Sequence, residues 1–268
     1  FVADSPAWAD AATCARVLEL TEPLAKLGVP LRQLDDPKKC RLPYGGPRVG
    51  ISTLALEADA IINVPKFKAH QQLMATFAVK NMFGCVSGKH KALWHFRKGD
   101  DETEFCKMLI GVYEHLAPVL TIIDGIVAME GQGPIRGPSR PLGWLVAGTD
   151  PIACELTCCR LIDLDPDRLP IVRMAKEIGF GCSDLSQIEI VGDALPEPCR
   201  DFVLAELGPI KFSFLHICRS LLRQMILLAQ GRKASRTGTS CPHANRRAGK
   251  AVQTVSTIPQ GQTTKNDG

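Results

Sequence analysis

Three short apolar runs constrain this chain most. ADAIINV (58–64), VLTIID (119–124) and LGWLVAG (142–148) are too short for typical globular helices. A continuous apolar run of this length reads as a strand buried on both faces, the habit of parallel sheets. Segments with helical spacing lie around them. Residues 9–27 break near Pro23, 71–83 are closed by Gly84, and 101–117 carry acids in the first turn. Residues 150–162 have Asp150 as N-cap and Pro151 at the first helical position, and 171–179 end on Gly179. FVAD (1–4), LRQLD (31–35) and QIEIVG (187–192) complete the strands, and 36–50, 85–100 and 125–141 read as loops. The alternation predicts an α/β fold with a mainly parallel open sheet and flanking helices.

Composition excludes several classes. The 268 residues are 45% hydrophobic and 22% charged, which is globular and neither disordered as a whole nor fibrous. The net charge of +4 suggests an anionic macromolecular partner until its distribution is read. Residues 231–268 hold seven Lys/Arg and one acid, so the body is net negative and the basic excess is a tail. That tail is poor in apolar residues and is expected to be disordered. The expected organisation is an α/β domain over 1–195, a helical extension over 196–230 and a disordered basic tail over 231–268. Within the extension, residues 212–230 form an amphipathic pattern interrupted by His216, Arg219, Arg223 and Gln224. It suits docking on a protein or a membrane surface better than spanning a bilayer. No nucleic-acid-binding motif is present, so no specific nucleic-acid partner is expected. Eleven scattered cysteines make no disulfide framework. They read as buried free thiols of a cytoplasmic protein, with Cys154, Cys158 and Cys159 as the alternative soft-metal or redox cluster.

In an open α/β sheet ligands bind beyond the carboxyl ends of the strands. Asp4 and Ser5 follow the first strand, and Lys66, Lys68 and His70 follow the 58–64 run. Asp124 closes the next run, with Glu130 and Gly131 in the loop beyond it, and Asp150 follows 142–148. Lys80 and Asn81 lie late in the 71–83 helix. Ammonium and imidazole groups can hold a carboxylate or phosphate, and a desolvated lysine can act as base or nucleophile. Lys66, Lys68, His70, Lys80 and Asp124 are therefore the candidate catalytic residues. Asp4, Ser5, Asn81, Glu130 and Gly131 are the candidate substrate-binding residues. Asp124, Glu130 and Asp150 could bind a divalent metal such as Mg²⁺ or Mn²⁺, or serve as general acid and base. Each has a plainer role open to it: Asp150 as a helix cap, Asp124-Gly125 as a turn, the lysines as solvated charges.

INVPKFKAH, TFAVKNMFG, LTIIDGIVAMEGQGPIRG and LVAGTDPIACE occur in that order over residues 1–193. In sequence and spacing they resemble the domain of unknown function 362 family. The resemblance implies an α/β domain, accompanied in some members by a ferredoxin-like module with two 4Fe-4S clusters. It also implies a further strand–helix unit with a Lys-Pro-Asn segment ahead of Phe1. Glu155 stands where the family more often has Asp. No C-x-x-C-x-x-C-x-x-x-C-P run follows residue 210, where only Cys218 and Cys241 occur, so no cluster can be assigned.

These features predict an enzyme, or part of one, acting on a small anionic substrate through the Lys/His group and the carboxylates. The alternative is an iron–sulfur-associated redox or electron-transfer accessory with a partner protein. The third is a non-catalytic binding module that docks through 212–230.

Overall fold

The computed structural model describes residues 1–6, 9–86, 94, 102–134 and 137–207, and the backbone of 251–257. The expected extension helix over 212–230 lies outside the described residues. The chain opens with strand β1 (Val2–Asp4) and helices α1 (Ala11–Val17) and α2 (Thr21–Lys26), then β2 (Leu31–Gln33), which pairs parallel with β1. The 9–27 helix breaks at 18–20, where Glu19 takes a positive φ of 57°, and Pro23 sits inside the second helix. Residues 36–50, expected as loop, form most of an antiparallel hairpin of β3 (Pro37–Arg41) and β4 (Arg48–Ser52), followed by α3 (Thr53–Leu56).

The main sheet has seven strands. β5 (Ile62–Asn63) and β6 (Lys66–His70) both pair parallel with β8 (Leu120–Met129), and β7 (Met74–Thr76) pairs antiparallel with β6. β8 pairs antiparallel with β9 (Ser139–Gly148). β11 (Ala251–Thr257) lies parallel to β9 and antiparallel to β10 (Ile188–Gly192). Of the tail expected to be disordered, residues 251–257 are thus a strand. The sequence AVQTVST has β-branched residues at Val252, Thr254, Val255 and Thr257, a composition that fits a sheet position.

Among the described residues, three helices flank this sheet. α4 (Glu102–Leu116) buries Phe105, Met108, Leu109, Val112, Tyr113 and Leu116 at three- and four-residue spacing, with Glu102 and Glu104 in its first turn. α5 (Pro151–Leu161) is buried at every position but Arg160, the mark of a helix enclosed on all sides. α6 (Pro170–Ile178) starts on Pro and ends on Gly179 at φ 69°. The core is centred on Phe67, whose ring lies 4.5 Å from Phe77, 5.6 Å from Phe202 and 6.4 Å from Trp144.

Two expectations about the 58–83 region are corrected. Only Ile62–Asn63 of the 58–64 run form a strand, and the apolar Ile62 and Val64 are exposed while Asn63 is buried. Asn63 points inward because its amide has partners there. Residues 71–83 are not one helix: β7 occupies 74–76 and a 3-10 helix runs over Val79–Cys85. Residues 72–79 are buried on every side, so the segment has no solvent face to set a helical stripe. Met74, at φ 65°, closes the turn that folds β7 back on β6.

Candidate functional site

Within PKFKAH, residues 66–70 form strand β6. Side chains alternate across a strand, so Lys66, Lys68 and His70 share one face of β6 and Phe67 and Ala69 the other. Burial deepens along the polar face: Lys66 is exposed, Lys68 half-buried and His70 only 3% exposed.

The three side chains differ in what holds them. Lys66 Nζ donates to Asp124 Oδ2 at 2.5 Å and to the Val127 carbonyl at 3.1 Å. Both side chains are more than a third exposed, so the pair contributes at most about 1 kcal/mol. Asp124 Oδ1 also accepts the Ile126 N–H at 3.0 Å, across the bulge between Gly125 and Val127. His70 Nδ1 accepts the Gln72 N–H at 3.1 Å, which orients the ring. Lys68 is different: among the described residues its ammonium has no hydrogen bond and no ion pair. Loss of hydration holds its pKa below the ordinary lysine value, and the more distant Asp4 carboxylate opposes that shift.

Asp4 brings the chain's first turn to this face. Its Oδ1 accepts the Ser5 N–H at 2.7 Å, and Ser5 is buried. A Cβ on Gly84 would lie 3.8 Å from the same oxygen, so the end of the 3-10 helix carrying Lys80 and Asn81 adjoins Asp4. Lys80 Nζ lies 6.0 Å from the centre of the Phe83 ring. Asn81 donates to Asn63 Oδ1 at 2.8 Å, and Asn63 Nδ2 donates to the Ala78 carbonyl (2.9 Å) and Thr121 Oγ1 (3.2 Å). Thr121 Oγ1 in turn meets the Tyr113 hydroxyl at 2.8 Å. Burial pushes that phenol up to about 12.

The carboxylates do not converge as expected. Because β8 and β9 are antiparallel, their carboxyl ends lie at opposite edges of the sheet. Thr121 faces Gly148 and Met129 faces Ser139, so Asp150 and Glu130 lie beyond opposite ends of the Thr121–Met129 span, which is roughly 27 Å long at ~3.4 Å per residue. Asp150 acts as the cap of α5. Its Oδ1 accepts the Ile152 and Ala153 N–H groups at 2.8 and 2.9 Å, and its Oδ2 accepts the Cys182 N–H at 2.8 Å. Glu130 clasps the segment after β10: Oε2 accepts the Val203 N–H at 3.1 Å, and Arg140 approaches Oε1 at 3.9 Å. Gly131, at φ 71°, donates its N–H to the Val203 carbonyl at 2.6 Å. Asp124, Glu130 and Asp150 therefore do not fit a shared metal ion. Among the described residues no three His, Cys, Asp or Glu side chains are placed to hold one. The thiols of Cys154, Cys158 and Cys159 lie buried in α5, all raised by loss of hydration, and do not fit a cluster.

Two residues outside the expected set stand out. Asn63 is the hub of a buried amide–hydroxyl chain, and Glu155 binds the start of the 3-10 helix. Their signal in the sequence is the same: a polar side chain inside an otherwise apolar element, which must find partners or cost several kcal/mol.

The family described as domain of unknown function (DUF362) matches residues 1–160. A protein of Synechocystis sp. described as thylakoid-associated protein sll1697 is 33% identical over 236 residues, covering 85% of this chain and 71% of that protein. No solved structure matches. The family match spans more than half of the chain and takes in the Lys face, the Asp124 and Glu130 strand, and the Asp150 cap, and on that basis the chain belongs to the DUF362 family.

Proposed function

We propose that this domain is the anion-holding part of an enzyme, with its site on the polar face of β6. The observation that carries the reading is Lys68: a half-buried ammonium, unpaired among the described residues, between a lysine engaged by Asp124 and a buried histidine. A lysine that forgoes hydration without a protein partner is suited to a ligand that supplies one, a carboxylate or a phosphate. Its depressed pKa also increases the neutral fraction, which can take a proton from a bound acid. Asp4, Ser5 and the Lys80–Asn81 segment border the same face and would set the shape of the ligand. The reading is tested by amide NMR of the full chain titrated with inorganic phosphate and then with a small dicarboxylate. Saturable shifts centred on residues 66–70 and 4–5 support it. Shifts absent from 66–70 at saturating ligand would overturn it.

A second reading concerns location. The relative from Synechocystis is described as thylakoid-associated, and among the described residues no helix is long and apolar enough to cross a membrane. We infer peripheral attachment from the cytoplasmic side, through the amphipathic 212–230 segment. Co-sedimentation with anionic vesicles that is lost on deleting 208–230 supports this; equal sedimentation of both forms contradicts it.

A further inference from the structure

One buried carboxyl has no part in the Lys face. Glu155 lies in the middle of α5 and is 1% exposed. Its Oε1 accepts two backbone N–H groups at the start of the 3-10 helix, from Ala78 and Val79, each at 2.9 Å. Its Oε2 is buried and has no hydrogen-bond partner among the described residues. Half of an ionised carboxylate there would be charge without solvation. Burial pushes the carboxyl up to about 7, against the pull of the two N–H bonds.

The segment that Glu155 holds is also held from the other side. Asn63 Nδ2 donates to the Ala78 carbonyl, and Asn63 Oδ1 accepts from Asn81. Residues 78–81, which include Lys80, are thus gripped by α5 through a carboxyl and by β5 through an amide. Only the carboxyl can exchange a proton. The groups that feel it electrostatically are the thiols of Cys154, Cys158 and Cys159 on α5, and Cys106 and Tyr113 on α4. All are raised by burial and remain neutral around pH 7. The gripped helix contributes one cation, Lys80.

We propose that Glu155 is a proton-responsive positioning residue: ionised, it fixes Ala78–Asn81 through charge-assisted bonds, and protonated, it relaxes that grip and with it the placement of Lys80 and Asn81. The grip stands on its own geometry. Only its consequence for a ligand rests on the anion-site reading.

The test is an amide NMR titration of the full chain, with sulfate as the anion because its charge stays constant from about pH 5.5 to about pH 8.5. The Ala78 and Val79 amide protons are expected to shift sigmoidally with a midpoint near 7 in the wild type. The shift should vanish in Glu155→Gln, whose amide oxygen still accepts, and return in Glu155→Asp. Flat Ala78 and Val79 shifts in the wild type overturn the proposal whether or not Glu155→Gln folds, and so does a titration that persists in Glu155→Gln. In the second arm the ratio of sulfate affinities at the two pH values should differ between wild type and Glu155→Gln by about threefold or more. Titrating amides without any sulfate binding would sink the anion reading and leave the grip. Sulfate binding with flat amides would do the reverse.

Discussion

Gly133 and Gly137 mark where the backbone admits no side chain. A Cβ on Gly133 would stand 2.1 Å from the Ala69 carbonyl oxygen, and one on Gly137 2.0 Å from the Glu130 carbonyl oxygen. Both obstacles are backbone: at Gly133 the loop would have to move off β6, and at Gly137 off the end of β8. Gly133→Ala and Gly137→Ala should each cost roughly 2 kcal/mol or more, read from urea denaturation midpoints. Gly143→Ala faces nothing within 4 Å and only the strain of φ +77°, and should cost about 1 kcal/mol. The same midpoint for all three variants would contradict this packing. Asp150→Ala should cost ~1–2 kcal/mol through loss of the α5 cap, measured in the same way. At this scale local chemistry was legible: Asp-Pro before an apolar helical run predicts a cap, and the structure has one. The Lys66–Asp124 pair was not legible as a contact, because 58 residues of chain separate its members. Nor could the sequence tell which lysine of PKFKAH would be left without a partner among the described residues.

At the scale of elements, α5 carries a proton-linked cost. Glu155 has its folded pKa raised from 4.5 to about 7, so the folded state binds its proton more tightly than the unfolded state. Its contribution is neutral below pH 4.5 and becomes a loss of stability as pH rises towards 7, by up to roughly 3 kcal/mol. Unfolding free energies of the wild type minus those of Glu155→Gln should fall across that window. A difference independent of pH would show that Glu155 does not titrate there. Elements with one clear stripe or a clear stop, α4 and α6, follow the expected boundaries. Those enclosed on all sides do not: residues 71–83 carry apolar residues at every phase, so periodicity cannot separate helix from hairpin. Strand direction was likewise hidden. VLTIID and LGWLVAG look like parallel strands because both are nearly continuous apolar runs, yet in the structure their buried positions alternate, and the Gly- and Pro-rich stretch between them is short enough to return the chain as an antiparallel pair.

For the molecule as a whole, that one direction decides which carboxylates can meet. It sends Asp150 to the edge opposite Glu130 and leaves the polar face of β6 as the place where charged groups gather. The far side of the sheet depends on distant chain, since among the described residues β11 lies between β10 and β9. Deleting residues 208–268 should therefore strip hydrogen-exchange protection from amides 188–192 while those of β8 stay protected. Full protection of 188–192 in the shortened chain would contradict the strand order. The central claim is that Lys68 is the anion's anchor. Lys68 loses hydration with no ion pair among the described residues, which weakens the fold, so Lys68→Met should match or exceed the wild type in melting temperature. The most direct measurement is the phosphate affinity of the full chain as wild type, Lys68→Met and Lys66→Met. A loss of about tenfold or more is expected for Lys68→Met, equivalent to ~1.4 kcal/mol, and a smaller loss for Lys66→Met, whose ammonium is already held by Asp124. Wild-type affinity in a folded Lys68→Met protein would contradict the claim.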